Sequence, residues 1–298
     1  MITKKNYLST PVVSGFVDYF AELIDGKPIN HQYQILDLKL PKGYEEKYCE
    51  RDGSLKILDL KDAYKKYWWD RKDFNKNKHE LDHIATKIND FNNSKHEKNA
   101  YECIQLVKEV FEWGGVWHVN ARWVEKEENL IQKLVNGSRE MQSDSPNLNI
   151  FKKYNSSNRT TASRMNAGYT KYYSLACQEN KVIIYDSRVG AALGLLTRKY
   201  LEVIGEDKVP KDYLDFRWAI KRGENPADPN YSVRDPSCSG YKFTKLGASD
   251  QSWAECNIKA NWIISEALNR AKSKIWGSDT IDTRKIEAAL FTLGYSLK

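Results

Sequence analysis

Along most of the chain, apolar residues recur every three or four positions, the spacing of one helix face. In residues 12–24 Phe16, Tyr19, Phe20 and Leu23 share such a face, and Gly26 and Pro28 predict its end. A different rhythm follows in residues 33–40: Leu36, Leu38 and Leu40 alternate with Asp37 and Lys39, which predicts a half-buried strand before Pro41-Lys42-Gly43. Beyond a charged, glycine-containing loop, Asp59 is placed to cap a short helix carrying Tyr64, Tyr67, Trp68 and Trp69. Adjacent tryptophans cannot both face one core, so one is expected inside and the other partly exposed. Leu81, Ile84, Ala85, Ile88 and Phe91 form the next helical stripe. The polar run 92–99 predicts a loop and a candidate boundary.

Ile104, Val107, Val110 and Phe111 then restore the helical period until Trp113-Gly114-Gly115, where two missing side chains let another element approach closely. A third helix is expected around 124–135 with Leu130, Ile131, Leu134 and Val135 inward. Residues 136–149, rich in Gly, Ser, Asp, Asn and Pro, read as a loop. A short apolar run, Val182-Ile183-Ile184-Tyr185, ends at Asp186, after which Val189, Leu193, Leu196, Tyr200, Leu201 and Ile204 repeat helically up to Gly205. Asp186 therefore stands at a helix start, where free N–H groups and the helix dipole hold a carboxylate ionised and fixed in direction. Gly190 and Gly194 lie inside that helix; each costs about 1 kcal/mol relative to alanine, which predicts something close-packed against them. Residues 221–247 are dominated by loop formers, including Pro226, Pro229 and Pro236. Two further helices are expected at 253–271 and 282–293, the last capped by Asp282 and ended by Gly294. The coarse expectation is a mainly α protein with a minor β element near the N-terminus.

Charge sharpens this picture at one place. The formal net charge is +7, and no acidic residue lies between Asp144 and Glu179, whereas Lys152, Lys153, Arg159, Arg164 and Lys171 all do. Such a window suits a polyanion or is a solvated basic face. The five cysteines include no C-x-x-C pair and no ligand-like spacing, so no metal, iron–sulfur centre or other cofactor is expected. With no run approaching a membrane span and no signal-like N-terminus, the sequence reads as a cytoplasmic protein with reduced thiols and no membrane association.

The turn Met165-Asn-Ala-Gly-Tyr-Thr-Lys171, leading into a helix and followed by Tyr185-Asp-Ser-Arg-Val189, resembles the helix-hairpin-helix DNA glycosylase superfamily. Lys171 matches that family's hairpin lysine, Asp186 its aspartate and Val189 the apolar residue after it. Three stretches look like the divergent bacterial branch with an 8-oxoguanine glycosylase fold: Phe111-Glu-Trp-Gly-Gly-Val116, Ile184-Tyr-Asp-Ser-Arg-Val-Gly-Ala-Ala-Leu193 and Arg284-Lys-Ile-Glu-Ala-Ala-Leu-Phe-Thr-Leu-Gly294. The hairpin departs from the family's pattern in lacking its paired glycines. The resemblance covers residues 101–298, a glycosylase-like helical domain, and leaves 1–100 as an N-terminal helical and β lobe.

What the resemblance implies is a two-lobed enzyme that flips a modified base from double-stranded DNA and cleaves its N-glycosidic bond, with no obligate protein partner. Some members of this branch are similar to anti-phage glycosylases acting on glucosylated hydroxymethylcytosine; 8-oxoguanine-type repair and non-catalytic DNA binding are the alternatives. Asp186 would stabilise the positive charge that develops on the sugar, or serve only as an N-cap. Lys171 would attack C1′ as an amine or contact a phosphate. Lys152, Lys153, Arg159, Arg164 and Thr170 are the candidate DNA contacts. Trp113, Trp117, His118, Tyr172 and Tyr173 are candidates for the base pocket, since extruded bases are held between aromatic rings. Arg188, one turn into the Asp186 helix, is placed to support it.

Overall fold

A computed structural model describes the chain except residues 1, 36–38, 153–161, 178–181, 222–231, 273–275 and 277–279. In chain order the described elements are α1 (Lys4–Leu8), α2 (Pro11–Ile24), β1 (His31–Gln34), α3 (Tyr44–Tyr48), β2 (Ser54–Ile57), α4 (Leu60–Lys65), α5 (Phe74–Asn93), α6 (Ala100–Trp113), α7 (Trp117–Glu125), α8 (Leu130–Gln142), α9 (Tyr169–Ala176), α10 (Ser187–Ile204), α11 (Asp250–Arg270) and α12 (Thr283–Leu293). The fold is mainly helical, with a small antiparallel sheet near the N-terminus. Caps account for several boundaries. Asp59 accepts from Asp62 N, Asn99 from Tyr101 N and Asp282 from Lys285 N, each holding an otherwise unpaired helix donor.

The chain divides into two compact units. The first comprises Met1–Lys4, Lys78–Tyr185 and Ala248–Lys259; the second comprises Lys5–Asn77, Asp186–Gly247 and Ala260–Lys298. This division does not follow the linear partition at residue 100. Each unit is assembled from separated segments, because strands and helices distant in sequence bury a common core.

In the second unit α10 is surrounded on most sides: Val189, Ala191, Ala192, Leu193, Leu195, Leu196 and Leu201 are all buried. At about 1.5–3 kcal/mol for each fully buried large aliphatic side chain, this helix supplies much of the unit's stability. Close approach to α12 is possible only because Gly294 has no side chain, since a Cβ there would sit 1.9 Å from the Arg188 carbonyl oxygen. Gly194 meets its expectation too: Pro236 Cγ would lie 2.6 Å from a Cβ at that position. Phe16 on α2 packs against Tyr19, Phe20, Tyr200 and Phe216. β1 pairs with β2 in the register His31 to Ile57 and Gln34 to Ser54, and the Tyr33 hydroxyl donates to the Thr292 carbonyl at 2.6 Å, tying the sheet to α12. Trp68 is buried and Trp69 half-buried, as their adjacency requires.

Several boundaries differ from expectation. The strand lies at His31–Gln34, upstream of the alternating leucines, of which Leu36 and Leu38 fall outside the described residues. The supposed loop after Gly43 contains α3 and β2. The single helix expected at 124–135 is two, α7 and α8, and α8 runs to Gln142 through residues expected to be a loop. Gly137 explains the last point: the Tyr173 ring lies where its Cβ would be, 2.3 Å from the hydroxyl oxygen, so glycine here serves packing. The same first unit encloses an ion pair between Lys133 and Glu127, whose side chains are 4% and 5% exposed.

Candidate functional site

Two helix starts carry the residues singled out by sequence. Lys171 belongs to the first unit, and Asp186 is the residue at which the second resumes.

At the start of α9 the turn is organised by Asn166. Its Oδ1 accepts from Gly168 N at 2.8 Å and Tyr169 N at 3.2 Å, and its Nδ2 donates to Asn120 Oδ1 at 2.9 Å. Asn120 in turn donates to the Val116 carbonyl. An Asx-type cap thus closes the turn and anchors it to α7. Gly168 is pressed against Phe111, whose Cζ would be 3.0 Å from an added Cβ. Asparagine two residues before a glycine was the available sequence signal for this clamp.

Lys171 follows in the first helical turn, only 6% exposed. Its stem crosses Gly114, where a Cβ would meet Cδ at 2.5 Å, and its Nζ donates to the Ala167 carbonyl at 2.7 Å. The close approach expected at the double glycine is therefore the lysine itself. A cation near a helix N-terminus opposes the dipole, and the backbone carbonyl offsets that repulsion.

Thr170 is fully buried, and its Oγ1 accepts from Tyr185 N at 2.8 Å. The extended run Val182–Tyr185 has no strand partner among the described residues, so side chains satisfy its backbone: Ser174 Oγ donates to the Val182 carbonyl and Asn257 Nδ2 to that of Ile183. This corrects the assignment of Thr170 to DNA contact, because a fully buried hydroxyl does not reach a phosphate. Tyr173 is likewise corrected: it is fully buried, donates to the Arg164 carbonyl at 2.9 Å and offers no open face to a base. Tyr172 keeps 2% of its surface open and belongs to the wall of a separate cavity. Burial raises the pKa of both phenols, so both remain protonated donors.

Arg164 is not a free phosphate anchor either. It pairs with Asp250 at 2.9 Å and stacks on Trp123, with 5.0 Å from guanidinium carbon to ring centre. Burial pushes the Asp250 carboxyl up to about 6 despite the opposing effects of Arg164 and a backbone hydrogen bond from Met165. Lys152 is exposed; Lys153 and Arg159 lie outside the described residues. Trp113 and Trp117 are half-buried, Trp117 with the Lys108 ammonium 5.7 Å from its ring centre, and His118 is exposed on α7.

At the start of α10 the geometry is different. Asp186 has extended backbone (φ −111°, ψ −173°) and is half-buried. Its Oδ1 accepts from Arg188 N at 2.9 Å and Val189 N at 3.1 Å. Among the described residues Oδ2 accepts no hydrogen bond. One oxygen is thus fixed by the helix while the other is left for a further donor or a developing positive charge. The next residues are held just as firmly. The Arg188 guanidinium, 7% exposed, is surrounded by Phe291, Tyr295, Trp68 and Trp69, with ring centres 4.1–5.9 Å away. Arg234 Nη1 donates to Ser187 Oγ at 2.5 Å. No sequence signal pointed to Arg234, which comes from the long irregular segment. Tyr67 lies within the electrostatic reach of Asp186; burial, then Glu287 and Asp186, raise its pKa.

No protein-family model, curated protein or solved structure matches this chain.

Proposed function

We propose that the protein is a monofunctional DNA N-glycosylase in which Asp186 stabilises the sugar cation. The observation that carries the reading is the half-open carboxylate: one oxygen is locked by two helix N–H groups, and the other accepts no hydrogen bond among the described residues. Breaking the C1′–N bond sends its electron pair to the departing base and leaves oxocarbenium character on the deoxyribose. A preorganised carboxylate favours that charge without reorganising at the moment of reaction. Water then adds to C1′, and the proton it loses neutralises the departing base anion, completing hydrolysis. The caged Arg188 and the Arg234 contact to Ser187 hold the first turn of α10, and so hold Asp186 in one direction.

Lys171 supports the monofunctional version. Its ammonium is committed to the Ala167 carbonyl and its stem to Gly114, so its role here is to brace the hairpin rather than to form a Schiff base. The substrate class is double-stranded DNA carrying a modified base.

The test is a panel of duplexes containing oxidised purines, uracil, alkylated bases and glucosylated hydroxymethylcytosine. Base release from at least one, lost in Asp186→Asn with duplex affinity retained, is the expected result. Release that persists in Asp186→Asn would remove the carboxylate from the chemistry. Binding without release on any substrate would make the protein a non-catalytic DNA binder, and covalent trapping by borohydride would reinstate Lys171 as a nucleophile.

A further inference from the structure

Among the described residues, Asp70 (φ 46°) and Arg71 (φ 66°) are the one pair of adjacent non-glycine residues with left-handed backbone. They are the central residues of a tight hairpin in the second unit: Trp69 N donates to the Lys72 carbonyl and Lys72 N to that of Trp69, both at 3.0 Å. A two-residue turn with both φ positive takes Asn-Gly or Asp-Gly most readily. Asp70 suits its place, whereas Arg71 stands where glycine would be free of strain.

The surroundings hold the turn in that conformation. Asn77 is 2% exposed, and its Nδ2 donates to the Trp69 carbonyl at 3.1 Å and to those of Lys72 and Asp73 at 3.2 Å. Arg71 N donates to the Lys39 carbonyl at 2.9 Å. The Trp69 ring meets Phe291 edge-on at 5.7 Å, and its centre lies 5.9 Å from the guanidinium of Arg188 on α10, the helix that Asp186 caps. Strained backbone persists where neighbours over-determine it, and it collects at binding sites. What this strain presents is the Arg71 side chain: the residue is exposed, and among the described residues its guanidinium has no hydrogen bond or ion pair. The adjacent carboxylates are engaged elsewhere. Asp70 pairs with Lys39 at 3.0 Å, and Asp73 Oδ1 accepts from Lys76 N in the first turn of α5.

An exposed guanidinium on a rigid tip matches two oxygens of one phosphate, bonded in parallel. We propose that Arg71 contacts the phosphate backbone of the DNA duplex from a turn anchored beside the Asp186 helix. This inference rests on the reading of the chain as a DNA glycosylase, and it gives residues outside the resemblance a share in binding the substrate.

Fluorescence anisotropy of the full chain with a short unmodified duplex, over a series of salt concentrations, tests it. Arg71→Gly should raise the melting midpoint by relaxing the turn. The same variant should weaken duplex binding at least about fivefold and reduce the slope of log affinity against log salt by about 1, as for one lost phosphate contact. Arg71→Asn, which also accepts left-handed backbone, should weaken binding in the same way. Lys208→Gln removes an equal charge from an exposed position next to Asp207 and should leave affinity and slope unchanged. Parent affinity and slope in folded Arg71→Gly or Arg71→Asn overturn the contact, and so does an equal loss in Lys208→Gln. Those outcomes leave the chemistry of Asp186 standing, whereas a parent chain without salt-dependent duplex binding overturns the glycosylase reading and this inference together.

Discussion

The starts of α9 and α10 carry opposite charges, Lys171 as the third residue of its helix and Asp186 as the N-cap of its own, and the outcomes are opposite. At α9 a lysine sits where the helix dipole disfavours a cation; it is buried, laid over Gly114 and bonded to Ala167. At α10 an aspartate sits where the dipole favours an anion; it is half-open and uses one oxygen for the cap. The first arrangement consumes the functional group in holding the turn, and the second holds the group while leaving part of it available. A residue's chemistry therefore follows from what its neighbours have already claimed, and charge at a helix start is insufficient to tell a working residue from a brace.

The strongest way to break this comparison is Asp186→Asn. Asparagine caps a helix about as well as aspartate, so thermal stability should change little while base release falls by at least about 10²-fold, measured by single-turnover cleavage. Should stability and activity fall together, the residue is a cap only. Next come the two glycines that admit each arrangement. Gly294→Ala drives a Cβ into the Arg188 carbonyl, which is backbone and cannot step aside, and should cost about 3 kcal/mol in denaturant unfolding. Gly114→Ala meets only the bendable Lys171 stem and should cost about 2 kcal/mol. An equal or reversed order would show that the lysine is the more rigid of the two.

The pH dependence tests the first unit alone. Asp250 titrates near 6 when folded, above its ordinary value of 3.8, so the native state binds more protons across that interval. Its contribution should make stability decline as pH rises from about 4 to 6 and then level off, an effect of about 3 kcal/mol at most. Asp250→Asn should flatten that slope in urea melts run across the interval. Smallest of all, Lys171→Met should lower stability by about 1 kcal/mol through loss of the Ala167 bond, with base release retained. Loss of activity comparable to that of Asp186→Asn would contradict the brace assigned to Lys171.

Local signals carried much of the fold. The caps at Asp59, Asp186 and Asp282 and the stripes of α2, α6, α10 and α12 depend on neighbours three or four residues away, so they are visible in the chain itself. The close approaches at Gly114 and Gly194 were also foreseeable, because glycine inside or at the end of a helix is costly without a contact to require it. The full length of α8 was hidden, since Gly137 and the polar residues around it look like a loop until the Tyr173 ring is placed on them. Strand β2 was hidden because its pairing with β1 spans a separate helix and no local alternation marks it.

By itself, then, the sequence determined the starts of α4, α10 and α12, the ends of α2, α6 and α10, and that a carboxylate stands at the mouth of one helix, because capping and periodicity are short-range. Only the tertiary structure decided that Thr170 and Tyr173 are internal, that Arg164 is spoken for by Asp250, that Arg188 is enclosed by rings from two distant segments, and that two compact units interleave along the chain. Those outcomes depend on which surfaces meet, and the free energy that selects them is released when residues far apart in sequence leave water together.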